Sequence, residues 1–410
     1  MEPIRLAIVG CGGMGRRHLA GLAELRAVGE RSIELVAVCD LNTDNANDLA
    51  AEAEALIGFR PLVFNDLEAM VRQTEGLEAA DCTTDSGSHH RVAADLLDLG
   101  LHTLVEKPLA LTMRGCDAII AAAERSGTLL SVADNYRRDP INRLARALID
   151  DGAIGDAQFI METAVRGRDA IIITPWRHQK FSGTITLDSG VHNADILQLY
   201  FGEARSAFGQ SRLFHPVRRA GQLAGPGGFY QKWAASVPET IEATGEDAIF
   251  GLITFANGAL GQWTDHHAGH GQPFQHRMVF GTAGSFAAPV DRTGKPIRLV
   301  LDDGTDIADA GVLDYAPSYR LDRVTALLFG GERPWTYQHD FAITDRKLGN
   351  RVCRACRLHP HRNQTRSRWR RRQTSSSAGH GVIRIAARQS PGDHCRNRGW
   401  VDQRLPAGDR

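Results

Sequence analysis

Ile4-Arg5-Leu6-Ala7-Ile8-Val9-Gly10-Cys11-Gly12-Gly13-Met14-Gly15 is an apolar hexapeptide followed at once by G-x-G-x-x-G, and a helical pattern continues through Leu25. Strand, glycine turn and helix in that order open a nucleotide-binding α/β unit. Gly10 permits the tight turn, Gly12 keeps a side chain out of the path of a pyrophosphate, and Gly15 lets the helix pack close to the strand. Gly13 and Met14 complete the turn as cofactor contacts, and the N-terminus of the helix that follows offers unpaired N–H groups to the phosphates. A second apolar strand, 35–39, ends at Asp40, the place for an acid that bonds ribose hydroxyls. Asp40 would repel a 2′-phosphate, and Leu41 and Asn42 bring no cation, so NAD is expected, with NADP the alternative. A glycine turn without a ligand is the plainer reading. The register of strand, turn, helix, strand and acid argues against it.

The alternation continues outward. Segments 61–64, 79–83, 102–105 and 129–133 read as strands, with helices over 67–71, 89–99 and 116–126. Such alternation predicts βαβ units on a parallel sheet. Ligands bind beyond the carboxyl ends of such strands. Asp40, Thr83-Thr84-Asp85-Ser86 and Glu106-Lys107-Pro108 all fall there. The fold class is α/β, with a Rossmann domain over 1–134.

Further on, 187–200 reads as a helix. Asp188 and His192 are four residues apart and share a face; Asp195 is three further, on about the same side. Alcohol oxidation needs a base for the hydroxyl proton, and a histidine with an ordinary pKa near 6.5 suits it. A purely structural His-Asp pair is the other reading of this helix alone. Arg137-Arg138-Asp139-Pro140 reads either as a turn facing the substrate through Arg138 or as a solvated turn with a helix starting at Pro140. His266, His267, His270 and His276 lie near Trp263. The span 245–280 reads as sheet hairpins turning at Asn257-Gly258, so the cluster reads as a cleft wall rather than a metal site, and no metal is expected. Residues 230–237 read as a candidate lid.

Composition sets the class. No apolar run is long enough to span a bilayer, and no secretory leader is legible before the first strand. The seven cysteines, Cys11, Cys39, Cys82, Cys116, Cys353, Cys356 and Cys395, are odd in number and scattered. This points to a reducing, cytoplasmic setting without a disulfide framework. Residues 349–410 carry fifteen Arg and three Asp, which leaves 33 basic against 45 acidic residues in 1–348. A body near −12 does not suggest nucleic acid or membrane as a partner.

Gly10 to Gly15 with His18, then Asp40, His90, Glu106-Lys107-Pro108, Asn135-Tyr136-Arg137-Arg138-Asp139-Pro140 and Asp188-x-Gly190-x-His192-x-x-Asp195 together resemble the Gfo/Idh/MocA family over about residues 4–348. The resemblance implies a six-stranded Rossmann domain. It also implies a second α+β domain, 135–348, on an open and mostly antiparallel sheet, and a cis bond before Pro108. It implies hydride exchange between NAD(P) and a hydroxyl-bearing carbon of a sugar or cyclitol. Lys107 would reach both nicotinamide ribose and substrate; Glu106 joins Gly10, Gly12, Gly13, Met14, Gly15, Asp40, Thr83 and Thr84 as a cofactor contact. His192 would be the acid/base, Asp188 would bond a substrate hydroxyl, and Lys107 would bond the reacting oxygen. A homo-oligomer is expected where the C-terminus is intact. Two rivals share the fold: an NAD-dependent glycosidase, which would release cleaved glycoside, and a non-enzymatic NAD-binding regulator, against which Lys107, Asp188 and His192 speak.

After Leu348 the chain changes character. Lys and Glu vanish, and neither helical nor strand period survives. Reading one base forward from Gly349, the codon table allows Ile-Glu-Tyr, then His, then Pro-Glu-Val-Asp, and Trp369 before any Arg codon forces Gly. This is the order that the family resemblance leads one to expect. Residues 349–410 are therefore expected to be an out-of-frame, Arg-rich and disordered tail. The alternatives are a nucleic-acid arm or a zinc site at Cys353, Cys356, His359 and His361.

Overall fold

The computed structural model describes residues 2–220 and 237–338. The expectations for most of the 230–237 lid and for 349–410 lie outside the described residues.

In the first half, strands β1 (Ile4–Val9), β2 (Ile33–Cys39), β3 (Leu62–Phe64), β4 (Ala79–Cys82), β5 (His102–Glu106) and β6 (Leu130–Ala133) alternate with helices. These are α1 (Gly13–Ala27), α2 (Thr43–Ile57), α3 (Leu67–Gln73), α4 (His89–Asp98) and α5 (Met113–Ser126). The sheet is all parallel in the order β3-β2-β1-β4-β5-β6, the doubly wound arrangement. Both faces are covered, so Leu6, Ala7, Ile8 and Val9 are all buried in succession. The order reverses beside β1, which puts the crevice at the carboxyl ends of β1 and β4.

Helix α2 is absent from the sequence reading, yet its signals are present. Asn42 caps Asp44 N–H at 3.0 Å, Gly58 closes it at φ 72°, and Ala46, Leu49, Ala50, Ala53 and Ile57 form the buried stripe.

A 3-10 turn (Tyr136–Arg138) and α6 (Pro140–Asp150) link the first sheet to the second. Asp139 caps α6 by accepting from Ile141 N–H at 3.0 Å. The second sheet is built from β7 (Ala157–Gly167), β8 (Ala204–Arg212), β11 (Ala248–Phe255), β12 (Leu260–Gly269), β13 (Phe274–Gly281), β14 (Gly284–Ala288), β15 (Arg298–Leu301) and β16 (Asp306–Ile307). Strands β9 (Val217–Arg219) and β10 (Thr240–Glu242) pair separately. The order is β16-β15-β14-β13-β7-β12-β11-β8, antiparallel at every step except the parallel β12–β7 pair. The hairpin between β11 and β12 turns at Gly258, φ 87°. Helix α7 (Ile185–Phe201) lies on the inner face, and a short α8 (Arg323–Phe329) follows the sheet.

Strand alternation divides this sheet into two faces. Ile160, Glu162 and Ala164 are buried towards α7; Phe159, Met161 and Thr163 between them are less covered. Across β8, β11 and β12 the outer face leaves Phe208, Phe250, Leu252 and Leu260 exposed. No helix of the described chain is long and apolar enough to cross a membrane.

Candidate active site

The glycine turn is held by close packing. Gly10 adopts φ 97°, and a Cβ there would sit 2.6 Å from Thr84 N. A Cβ on Gly15 would sit 2.3 Å from the Gly10 carbonyl oxygen. Gly12, by contrast, faces open space. It also precedes α1 without any side-chain cap, so the first N–H groups of that helix are left for a ligand. Asp40 braces the turn by accepting from Cys11 N–H at 2.7 Å and Asn42 N–H at 2.8 Å.

A cleft of about 1110 Å³ opens here, lined by Gly10, Gly12, Gly13, Met14, Asp40, Thr83 and Thr84 from one side and by 173–177 from the other. The lining is otherwise acidic, with Asp66, Glu68, Asp85, Asp95 and Asp98 against Arg91 and Arg177. Bare helix N–H groups, an open glycine and a ribose-side acid fit an extended dinucleotide diphosphate.

Glu106 does not face this cleft. It is buried, its Oε1 lies 3.0 Å from His18 Nε2, and its Oε2 accepts from Lys107 N–H at 2.9 Å. With both oxygens bonded inward, its expected contact with the cofactor gives way to a bracing role. His18 Nδ1 meets Asp81 Oδ2 at 2.6 Å. Burial opposes its charge, but the two flanking carboxylates raise its pKa to about 9. This buried triad ties α1, β4 and β5 together under the turn. His90, singled out in the sequence, is exposed. Its neighbour His89 instead spans Pro108 O at 2.8 Å and Thr84 O at 3.1 Å. The Lys107-Pro108 bond is cis.

Lys107 and α7 meet across the gap between the two sheets. Lys107 Nζ donates to Asp188 Oδ1 at 2.8 Å and to Asp188 O at 3.0 Å. Arg177 Nε donates to the other oxygen, Oδ2, at 2.8 Å. Burial acts to raise the Asp188 pKa, but Arg177 and then Lys107 outweigh it and hold the carboxyl well below the usual range. His192, one turn along, places Nδ1 2.9 Å from Asp134 Oδ2. Its ring stacks on Tyr136, centroids 4.1 Å apart and planes 7° apart. Asp195 pairs with Arg137, whose Nε donates to Oδ2 at 2.6 Å. The link turn thus reaches α7 through Tyr136 and Arg137.

The sequence reading brought Lys107, Asp188 and His192 together and missed Asp134 and Arg177, which orient them. The clustered histidines part company: on β12, His267 is buried and bonds Asp265 at 3.0 Å while His266 packs against Phe214, and His270, just beyond the strand, meets His215. Among the described residues no three His, Cys, Asp or Glu converge as a metal site would require.

Comparison with known proteins agrees with this geometry. The family model described as "Oxidoreductase family, NAD-binding Rossmann fold" matches residues 4–134, and the Gfo/Idh/MocA C-terminal domain matches 142–287. D-apiose dehydrogenase of Paraburkholderia graminis is 30% identical over 210 residues, 50% of this chain and 52% of that protein. The chain thus spans about half the length of that relative. Levoglucosan dehydrogenase of Pseudarthrobacter phenanthrenivorans is 26% identical over 71% of this chain and 75% of its own length. An oxidoreductase domain protein of Kribbella flavida has the same fold, with a TM-score of 0.70 at 20% identity over 95% of this chain and 98% of that one.

Proposed function

The chain belongs to the Gfo/Idh/MocA oxidoreductase family, and we propose that it is an NAD-dependent dehydrogenase acting on a carbinol of a sugar or cyclitol. The observation that carries this reading is the convergence of Lys107 and the Asp134–His192 pair beside a dinucleotide cleft. NAD, when bound, supplies the hydride acceptor. Gly12, Gly13 and Met14 would hold its diphosphate, Asp40 its ribose, and Thr83 and Thr84 would line its path.

His192 does the proton work. With Nδ1–H donated to Asp134, Nε2 is the free base and takes the hydroxyl proton. Asp134 fixes that tautomer and steadies the imidazolium that forms, the service a carboxylate gives any base of this kind. Lys107 spends two contacts on Asp188 and keeps its third N–H for the reacting oxygen. Asp188 has both oxygens engaged, so its role is to aim Lys107 rather than to bond a substrate hydroxyl. Arg138, in the link turn, remains a proposed substrate contact.

The exposed apolar outer face of the second sheet supports a homo-oligomer built on that face. Phe208 and Leu252 stand side by side there in register. Incubating the full chain with a panel of aldoses, cyclitols and sugar acids, with NAD and separately with NADP, tests the reading at 340 nm. Reduction of NAD by at least one member is expected, with NADP used less well. NADP preference, or glycoside cleavage without net reduction, would count against it.

A further inference from the structure

We propose that Tyr136, Arg166 and Arg292 form an anion-binding subsite beside His192, so that the substrate is an acidic sugar derivative, a hydroxylated chain or ring bearing a carboxylate or a phosphate. The proposal rests on the dehydrogenase reading above and names the substrate class of that same site.

Three hydrogen-bond donors around one ring lack acceptors. Tyr136 lies flat against the imidazole of His192, so a carbinol offered to that base comes close to its phenol. The guanidinium carbon of Arg292 sits 5.2 Å from the centroid of the Tyr136 ring. Arg166 extends from the inner face of β7, with Nη2 3.4 Å from the hydroxyl of Ser189, the residue after Asp188. Burial pushes the Tyr136 phenol pKa up; Arg292 and Arg166 pull against that rise, while Asp291 and Asp134 add to it. Among the described residues the Tyr136 hydroxyl makes no hydrogen bond. Arg166 Nη1 is buried without an acceptor. Among the described residues no carboxylate lies within ion-pair distance of the Arg292 guanidinium, although Asp291 and Asp139 act on it from further off.

The neighbouring acids direct their hydrogen bonds mainly to other groups. Asp291 accepts from Arg277 Nη1 and Nη2 at 2.9 and 2.8 Å and from Asn142 at 2.7 Å. Asp139 takes the Tyr337 hydroxyl at 2.8 Å and the main-chain N–H of Arg292 at 3.0 Å. Asp265 bonds His267 through Oδ2 and forms an ion pair with Arg166 Nη2 through Oδ1 at 3.6 Å, which leaves only Nη1 of that guanidinium without an acceptor. Arg292 also adopts φ 67°, a left-handed backbone that a side-chain-bearing residue keeps only when its surroundings enforce it. Strain of this kind gathers at ligand clamps. Guanidinium groups are the usual partners of carboxylates and phosphates because their planar donors pair with two oxygens at once.

Calorimetric titration of the full chain, saturated with NADH, separates this proposal from the one beneath it. The probes are D-gluconate, D-glucuronate, D-galacturonate and D-glucose 6-phosphate, each set against D-glucitol, D-glucose or D-galactose. At least one anionic probe should bind ten-fold or more tighter than its neutral counterpart, and carboxylate against phosphate ester identifies the group. That advantage should vanish in Arg292→Gln and in Arg166→Gln, with NADH affinity retained. Should either variant fail to fold, Tyr136→Phe removes only a hydroxyl and should weaken the anionic probe several-fold while sparing the neutral one. Equal affinity for anionic and neutral probes in wild type overturns the subsite. Tight anion binding without any NAD reduction keeps the subsite and rejects the dehydrogenase reading.

Discussion

Asp134 and Arg177 are where one side chain decides what another can do. Asp134→Ala leaves His192 without an acceptor for Nδ1–H, so its tautomer is no longer fixed. Turnover should fall by roughly 10²-fold or more, in the range of acid–base effects, with NAD affinity by fluorescence titration unchanged. Unchanged turnover would mean that the pair is structural. Arg177→Ala frees one oxygen of a buried carboxylate and removes the stronger of the two cations that keep it ionised. The Asp188 carboxyl should then protonate at a higher pH, and the acid limb of the kcat profile should move upward; an unmoved limb would release Arg177 from this role. Neither residue was legible in the sequence. Asp134 and His192 are 58 positions apart, and Arg177 sits in a 3-10 turn with no periodicity to mark it. Asp188 and His192 were legible because a fixed spacing on one helix survives folding, and Lys107 because it stands in the contiguous Glu106-Lys107-Pro108 motif, whereas a tertiary approach leaves no local trace.

The glycine turn and the helix below it make predictions that separate folding from binding. Gly12→Ala meets nothing within 4 Å and should leave the melting temperature almost unchanged. It should still weaken NAD, because the new methyl enters the phosphate path. Gly15→Ala drives a methyl to 2.3 Å from a carbonyl oxygen and should lower both melting temperature and NAD affinity. Equal effects from the two variants would break this division. The His18 triad beneath gives a pH signature. Its folded pKa, raised to about 9, lies above the ordinary value near 6.5. The stability it lends is fully present below about pH 6.5 and is lost as pH rises through about 9. The urea midpoint of wild type should therefore fall across that interval, and His18→Gln should flatten the fall; a parallel fall in the variant would place the effect elsewhere. Strands and helices of the first sheet were legible because βαβ units are local. The order of the second sheet was not, since β12 joins β7 in parallel across about a hundred residues and no hairpin signal announces that pairing.

At the scale of the whole molecule, two sheets meet along α7 and the link turn, and the site exists only where they do. The exposed outer face carries its own test: Leu252→Lys should shift sedimentation towards monomer while leaving NAD affinity intact, and an unaltered sedimentation profile would remove that face from assembly. For residues 349–410 we propose a shifted reading frame, and resequencing the gene around the Leu348 codon should recover the alternative frame; a clean in-frame read would refute it. The central claim is that His192 takes the proton from a carbinol whose hydride passes to NAD. The most direct measurement uses a substrate found in the panel, deuterated at its carbinol carbon, with wild type and His192→Asn and the reduced cofactor read by mass spectrometry. Wild type should place deuterium on the cofactor, and His192→Asn should bind NAD equally well while forming labelled cofactor roughly 10²–10⁴-fold more slowly. Unlabelled reduced cofactor from wild type, or labelling at an undiminished rate in His192→Asn, would contradict it.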